Sequence, residues 1–379
     1  MVYSFLQQLY IMDKVPVSAE EGYYRDLLAD IEVQGLSPFV YQLLYESGQQ
    51  EGTPLFFQER LQSARKEALY RNLLLKKEGS MLYDSFEAAG IEAIPLKGTL
   101  FAETYLGHLG ARYTTDIDIL VRPEDVEAAV ALVQALGYIH EDPVNPDHFH
   151  RVFYKPRTSA GLPSMIEIHW NLIKSSSANL NIGNLWTEAH PLHPYTYIKQ
   201  LSVRHTFYTI CLHGTNHHME SAKHVLDIAH LLFKRGEDFD YPELFGQAKG
   251  DYTLKRIHEA LAIVYESFPA LHTLKPLPYP SGSRRIALWN NRRIRRPEGQ
   301  ENGLHSFLFS WRTADTWKYR AALLRNLILP APMLALYSVD EKQQSSAGVI
   351  TYMKLYRQRL GKLLFPLTKR IGEKNNGRS

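Results

Sequence analysis

Hydrophobic residues recur at intervals of three and four over most of the first 90 residues. This is the spacing of α-helices that bury one face. The segments YYRDLLADIEVQ and LQSARKEALYRNLLLKKEGSMLYDSFEAAG show it most clearly, and Gly90 is expected to end the second helix. The pattern therefore predicts an N-terminal helical region over residues 1–90.

After Gly90 the pattern changes to short β-type runs. Apolar and β-branched residues predict four strands, at 91–96, 116–121, 150–154 and 165–170. A short helix is expected to begin near LKGTLFAETYL. The amphipathic segment PEDVEAAVALVQALGY predicts a helix that Pro123 begins and Gly137 ends. This alternation predicts an α/β core over residues 91–185.

Helical spacing returns after about residue 185. The clearest helical segments are TFYTICLHGTNHH, SAKHVLDIAHLLFKRG and TLKRIHEALAIVYESF, within a unit expected over residues 186–275. KPLPYPSGSRR predicts a linker at about residues 275–285. Residues 276–379 are expected to form a basic, mostly helical C-terminal region. The predicted fold class is α/β, of the α+β kind, with a helical N-terminal cap and a helical C-terminal half.

Composition narrows the class of protein. A chain of 379 residues, 45% of them hydrophobic, is long enough to bury a sizeable core. A single cysteine, Cys211, excludes an internal disulfide and fits a reducing compartment. The first residues lack the basic segment and apolar run of a secretion signal, and no run of about 18 apolar residues occurs. We therefore expect a cytoplasmic protein without a transmembrane segment.

Charge is distributed unevenly along the chain. The net charge is only +3, but residues 284–379 contain 19 Lys and Arg against 6 Asp and Glu. Such a basic region indicates either an anionic partner or a solvated surface. Within it, NNRRIRRPEGQ contains four arginines that either contact nucleic-acid phosphates or lie in an exposed loop: Arg292, Arg293, Arg295 and Arg296. Because no aromatic residues are interleaved with them, nucleic acid is a partner that the sequence allows but does not favour.

A second segment of the basic region also has two interpretations. WKYRAALLRNLILPAPMLALY combines an apolar stripe with basic side chains. It either lies on a membrane surface or packs onto the body of the protein.

Two aspartates interrupt the predicted strand in ARYTTDIDILV. Alternate residues of a strand share a face, so Asp116 and Asp118 lie side by side while Ile117 and Ile119 face the core. Adjacent carboxylates repel each other unless a cation lies between them. Mg²⁺ prefers carboxylate and phosphate oxygens, so the pair predicts a magnesium site. The alternative is an exposed strand end whose aspartates are solvated or paired with Arg112.

Residues on both sides of this strand strengthen the metal prediction. Lys97, Gly98 and Thr99 lie where a predicted strand meets a helix, and free backbone amides at such a junction bind phosphate. Gly98 has the alternative role of a tight-turn residue. Glu167 adds a third carboxylate, on a strand where it shares a face with His169. Together these residues predict a site for magnesium and a polyphosphate.

The segment CLHGTNHHMESAKHVLDIAH contains a histidine pair. His213 and His217 are four residues apart, so one helix face presents both, which is a spacing compatible with zinc. Neither a His-Glu-x-x-His motif nor a cysteine pair accompanies them, so zinc is not favoured. Ordinary packing between helices is the alternative.

The blocks LKGTLFAETYL, ARYTTDIDILVRPEDVEAAVALVQALGY, IEIHWNL and CLHGTNHHMESAKHVLDIAHLL resemble those of bacterial proteins catalogued as uncharacterised nucleotidyltransferases. This family lies within the DNA polymerase β-like nucleotidyltransferase superfamily. The resemblance covers approximately residues 25–270. It implies a nucleotidyltransferase-type mixed β-sheet core. The superfamily pattern is a glycine and a small residue at a helix start, then Asp-x-Asp on a strand, then an acid on a neighbouring strand.

The resemblance also implies roles for individual residues. Mg²⁺, or Mn²⁺, is the expected cofactor and a nucleoside triphosphate (NTP) the expected substrate. The metal ligands are then Asp116, Asp118 and Glu167, with Glu167 helping to deprotonate the acceptor. The residues expected to bind the triphosphate are Lys97, Gly98, Thr99 and Arg112. The helical unit is expected to close the cleft, with His213, His217 and Asp227 lining or bracing it.

The predicted function is metal-dependent transfer of a nucleoside monophosphate to a hydroxyl or phosphate acceptor, with release of pyrophosphate. Family members are associated with biosynthetic clusters for modified peptides, including lasso peptides, which implies a small-molecule or peptide acceptor. Alternatives are protein-directed nucleotidylylation of the toxin-antitoxin type, nucleic-acid polymerisation, and a non-catalytic nucleotide-binding protein of the same fold. The presence of all three acids argues against the last alternative.

Overall fold

The computed structural model describes residues 1–11, 20–140, 148–155, 164–279 and 303–328. The predicted arginine cluster at 292–296, most of the predicted linker, and the end of the basic segment after residue 328 lie outside them.

A four-stranded mixed sheet forms the centre of the fold. Its strands are β1 (Ala93–Pro95), β2 (Asp116–Val121), β3 (His150–Lys155) and β4 (Ser164–His169). Their order is β1-β2-β4-β3; β2 and β4 are parallel, whereas the two outer pairs are antiparallel. All four predicted strands are confirmed. A separate two-stranded ribbon consists of β5 (His190–Pro191) and β6 (Lys199–Gln200).

Helices surround this sheet and account for most of the remaining chain. Before and within the sheet they are α1 (Val2–Ile11), α2 (Glu21–Val33), α3 (Ser37–Glu46), α4 (Leu55–Ala89), α5 (Gly98–Tyr105) and α6 (Val126–Ala135). After the sheet they are α7 (Gly183–Glu188), α8 (Val203–Asn216), α9 (Ala222–Arg235), α10 (Tyr241–Gly250), α11 (Leu254–Ser267), α12 (Leu271–Leu274), α13 (Gly303–Thr313) and α14 (Trp317–Ile328). The predicted α+β fold class is confirmed. No described helix has both the length and the apolar character needed to cross a bilayer.

One face of the sheet is covered by apolar side chains. Ile117 and Ile119 of β2 and Ile166 and Ile168 of β4 pack with α6 and with the second half of α4. The alternation of residues along each strand sends the intervening polar side chains to the opposite face. That opposite face is where the charged residues of β2 and β4 lie.

A second, larger core joins the two ends of the described chain. Helices α1–α3 and the start of α4 pack in one hydrophobic cluster with α8, α9 and α11. Helix α4 spans both cores, because its 35 residues extend about 52 Å. Phe57 lies in the larger core, whereas Phe86 lies in the sheet core. Gly90, with φ of 66°, ends this helix as predicted.

Candidate active site

The three predicted acidic residues lie together on the polar face of the sheet. Strands β2 and β4 are adjacent and parallel, and Asp118 lies directly opposite Glu167. One carboxylate oxygen from each of Asp116, Asp118 and Glu167 lies within 4.8 Å of the others. The Asp118 side chain is only 2% exposed, whereas those of Asp116 and Glu167 are 18% and 20% exposed. The cluster is therefore anchored by Asp118 and open to the cleft at the other two acids.

Two cationic side chains contact the acids. Lys97 Nζ lies 3.1 Å from Asp118 Oδ2 and 3.9 Å from Asp116 Oδ2. His169 Nε2 lies 3.1 Å from Asp118 Oδ1 and 3.3 Å from Glu167 Oε2. Three carboxylates thus share two cations. Lys97 was predicted near this site, but its direct contact with the aspartates was not.

Because of their different surroundings, the pKa values of the two aspartates shift in opposite directions. Burial alone would raise the pKa of Asp118, but Lys97 and His169 outweigh it and hold that pKa below its usual value. Burial and the neighbouring charge of Asp118 raise the pKa of Asp116. Burial would lower the pKa of His169, yet its hydrogen bonds to Asp118 and Glu167 raise it to about 9. At neutral pH, His169 is therefore protonated and Asp118 is ionised.

The donor set fits a hard divalent cation. Three carboxylate oxygens within 4.8 Å of one another match the oxygen ligands of Mg²⁺, which completes its shell with water and phosphate. Lys97 and His169 partly neutralise the same carboxylates. Asp116, Asp118 and Glu167 are therefore the residues that would hold such an ion.

A second group of potential ligands overlaps the first. One ligand atom from each of His150, Glu167 and His169 also lies within 4.8 Å of the other two. The Nδ1 atoms of both histidines are buried, and no described residue forms a hydrogen bond with either atom. Imidazole nitrogen favours Mn²⁺ and other transition-metal ions over Mg²⁺. His150 was missed by the sequence analysis because only the antiparallel register of β3 and β4 brings it opposite His169.

The Lys97–Gly98 turn brings helix α5 against strand β2. Gly98 has φ of 73°, and a Cβ there would lie 3.3 Å from Thr114 Cγ2 and 3.6 Å from the Asp116 carbonyl oxygen. Only glycine adopts this conformation at such close approach without strain. Lys97 lines the cleft, whereas Gly98 and Thr99 are not among its lining residues. Phosphate binding by Gly98 and Thr99 stays a prediction.

Arg112 connects the sheet region to the helical half. Its Nε lies 3.2 Å from each carboxylate oxygen of Asp227 on α9, and its Nη2 donates to Oδ2 at 3.0 Å. Both side chains are nearly buried, at 12% and 4% exposure. Arg112 thus pairs with Asp227 and not with Asp116, which was the alternative considered from the sequence. Asp227 braces the arginine, and the arginine lines the cleft.

The predicted histidine pair lies at the C-terminal end of α8, with His213 in the last turn and His217 directly after the helix. His213 and His217 both line the cleft, and their ring centroids are 4.7 Å apart. His213 Nε2 lies 3.4 Å from Lys97 Nζ. Burial and the neighbouring charge of Lys97 lower the pKa of His213 well below its usual value, so this ring is neutral. A neutral ring beside Lys97 accommodates the lysine charge without repelling it.

The cleft between the sheet and the helical half has a volume of about 1240 Å³. Its walls include the turn after α2, at Gln34 and Gly35, and the helices α13 and α14, through Ser310 and Asn326. Neither wall was predicted, because both come from segments remote in sequence from the acids. Pockets for a single small ligand typically have volumes of about 300–1,000 Å³, so this cleft is larger than such a pocket usually is.

Comparison with known proteins bears on the same region. A family model described as "uncharacterised nucleotidyltransferase" matches residues 23–269. This confirms the resemblance noted from the sequence, and the matched segment contains the acidic cluster. No curated protein and no solved structure matches the chain.

Proposed function

The chain belongs to the uncharacterised nucleotidyltransferase family, and from this premise we propose that it transfers a nucleoside monophosphate from an NTP to a hydroxyl or phosphate acceptor. The single observation that carries the proposal is the meeting of three acids from two neighbouring strands beside a large cleft. We propose a small molecule or a peptide as the acceptor.

The metal would be Mg²⁺ or Mn²⁺, held by Asp116, Asp118 and Glu167. When bound, it supplies charge neutralisation for the triphosphate and lowers the pKa of an attacking hydroxyl. Lys97, which contacts two of these acids, is placed to move onto a phosphate oxygen once the ion neutralises them. Arg112 is held in position by Asp227 and presents its remaining positive charge to the cleft.

The proposed reaction forms one bond and breaks one. The acceptor oxygen attacks the α-phosphorus, and the bond from that phosphorus to the bridging oxygen of the β-phosphate breaks. Pyrophosphate leaves with the bonding electrons, and Glu167 accepts the acceptor proton. His169 is unsuited to this role because two carboxylates keep it protonated. It instead positions Asp118 and Glu167.

Binding of nucleotide tests the proposal without knowledge of the acceptor. We expect the wild-type protein to bind a non-hydrolysable NTP analogue at least about tenfold more tightly with Mg²⁺ than without it. Asp118→Asn removes the anchoring ligand of the site, so that gain should disappear. Glu127→Gln is a matched control, because Glu127 is an acid 77% exposed and paired with Arg151 outside the cleft. It should bind nucleotide as the wild type does.

Turnover is tested with each α-labelled NTP in turn, Mg²⁺ and an extract that supplies acceptors. The proposal predicts label in a small-molecule or peptide fraction together with pyrophosphate, and loss of both in Asp118→Asn. Label on the protein itself or on another protein would favour the protein-directed alternative. Tight nucleotide binding with equal background turnover in wild type and Asp118→Asn would favour a non-catalytic protein.

A further inference from the structure

Arg256 is a buried arginine that lines the cleft away from the acidic cluster. It lies in the first turn of α11, and the residue is only 7% exposed. Burial lowers its pKa to about 10, so it remains charged at neutral pH. Its position therefore introduces a positive charge into the wall of the cleft.

No carboxylate among the described residues forms an ion pair with Arg256. The acid nearest in sequence on the same helix, Glu259, pairs with Arg312 at 3.0 Å. Asp315, whose charge acts on Arg256, accepts hydrogen bonds from the backbone N–H groups of Leu254 and Lys255 at 2.8 and 2.9 Å. Arg256 is thus left without a counterion although two acids lie in its neighbourhood.

The hydrogen bonds of Arg256 are also incomplete. Its Nη1 nitrogen donates to Asn216 Oδ1 at 3.3 Å, and its buried Nε has no hydrogen-bond partner within the described part of the chain. A buried charge without a partner is unfavourable for folding, whereas an anion bound in the cleft would compensate the charge of the guanidinium group. In contrast, Arg112 in the same cleft is paired through three hydrogen bonds.

Polar groups around Arg256 complete a small recess. Asn216, His218 and Ser310 line the same cleft, and His218 Nε2 lies 3.3 Å from Ser310 Oγ. His218 and the following Met219 both have φ of 54°, a left-handed conformation that is unfavourable for residues with side chains. Such strain is found where a fold holds functional groups in place. Here it turns the chain between α8 and α9 so that His218 reaches the cleft.

Lys97 and Arg256 contact different residues of α8. His213, which is next to Lys97, and Asn216, which holds Arg256, are three residues apart on α8, about 4.5 Å along the helix axis. Lys97 and Arg112 provide positive charge at the acidic end, where the triphosphate is proposed to lie. Arg256 provides a separate positive charge in the wall of the same cleft, which is larger than a pocket for one small ligand usually is.

We propose that Arg256, with Asn216, His218 and Ser310, binds an anionic group of the acceptor, either a carboxylate or a phosphate. The assignment to the acceptor rests on the proposed nucleotidyl transfer, but the anion site itself does not. The acceptor would then be an anionic small molecule or a peptide with an acidic group, aligned by Arg256 so that its nucleophile reaches the acidic cluster.

Inorganic phosphate is the probe for the anion site. We expect phosphate at constant ionic strength to raise the thermal unfolding temperature of the wild type. In Arg256→Gln its apparent affinity should fall at least about tenfold, and Arg256→Lys should keep part of it, because lysine retains the charge but not the planar fork. Arg204→Gln is the matched control, since Arg204 is half-buried outside the cleft and already has a carboxylate partner, Glu188, and its response should equal that of the wild type.

Two further measurements separate binding from structural roles. Without phosphate, Arg256→Met should unfold at the same temperature as the wild type or higher, because it removes an uncompensated buried charge. A lower temperature would show that the arginine is structural. Arg256→Gln should bind a metal-loaded NTP analogue within about twofold of the wild type. A tenfold loss would assign the anion to the nucleotide and overturn the acceptor assignment.

Two results with phosphate would contradict the anion site. If phosphate has no effect on the wild type, or has the same effect on Arg256→Gln, there is no anion site at Arg256. Failure of the proposed enzyme reaction is recognised separately, by unchanged nucleotide binding in Asp118→Asn.

Discussion

Replacing either member of the Arg112–Asp227 pair tests whether this pair joins the sheet region to the helical half. The two replacements should lower the free energy of unfolding by different amounts. Arg112→Met leaves Asp227 buried, and among the described residues Asp227 has no second ion-pair partner, so we expect a loss of about 4 kcal/mol in the free energy of unfolding. Asp227→Asn leaves Arg112 near the charges of Asp116 and Asp118, which partly compensate it. We therefore expect a smaller loss, about 2 kcal/mol.

The variant with both replacements completes a double-mutant cycle. Removing both charges leaves no unpaired ion, so the double variant should lose no more than Asp227→Asn alone, about 2 kcal/mol, and the coupling energy between the two sites should be about 4 kcal/mol. Urea denaturation of the four proteins, followed by circular dichroism, measures these values. A coupling energy below about 0.5 kcal/mol, typical of independent sites, would refute the reasoning. So would a larger loss for Asp227→Asn than for Arg112→Met.

Three further predictions follow from the geometry. Gly98→Ala places a Cβ 3.3 Å from Thr114 in a left-handed conformation, so urea denaturation should show a loss of about 1–2 kcal/mol; unchanged stability would contradict the close packing. Burial lowers the pKa of His230 to about 4, so its contribution to stability is present above pH 6.5 and is lost as the pH falls towards 4. Between pH 7 and pH 5 the wild type should lose about 2 kcal/mol of its free energy of unfolding through His230, and His230→Asn should not show this loss when both proteins are denatured at the two pH values. An equally large loss in His230→Asn would show that His230 is not the cause. His150→Gln should weaken the binding of a second Mn²⁺, at His150 and Glu167, about tenfold, and should change Mg²⁺ binding by less than about twofold in calorimetric titrations; equal losses for both ions would show that the imidazole is not a ligand.

Much of the fold was predictable because it depends on local patterns. The alternation in DIDILV and MIEIHW places apolar residues on one face and acids on the other, whichever strands are neighbours. The left-handed Gly90 ends α4 as its position in the pattern predicts. The convergence of Asp116, Asp118 and Glu167 was predicted from the family resemblance, and the pairing of β2 with β4 brings it about.

Other features depend on contacts between distant segments and leave no local pattern. Arg112 lies 115 residues from Asp227, and nothing in ARYTT indicates a partner on α9. His150 becomes a neighbour of His169 only through the register of two antiparallel strands. Arg256 looks in sequence like any exposed cation on an amphipathic helix; its burial follows from the packing of α11 against α8.

The direct test of the central claim is the position of a metal ion in a crystal of the protein soaked with Mn²⁺ and a non-hydrolysable NTP analogue. Anomalous diffraction from manganese locates the ion independently of any assumption about its ligands. The proposed function predicts a manganese peak bound by Asp116, Asp118 and Glu167, with the triphosphate beside Lys97. A nucleotide bound elsewhere, or these three acids still paired only with Lys97 and His169, would contradict it.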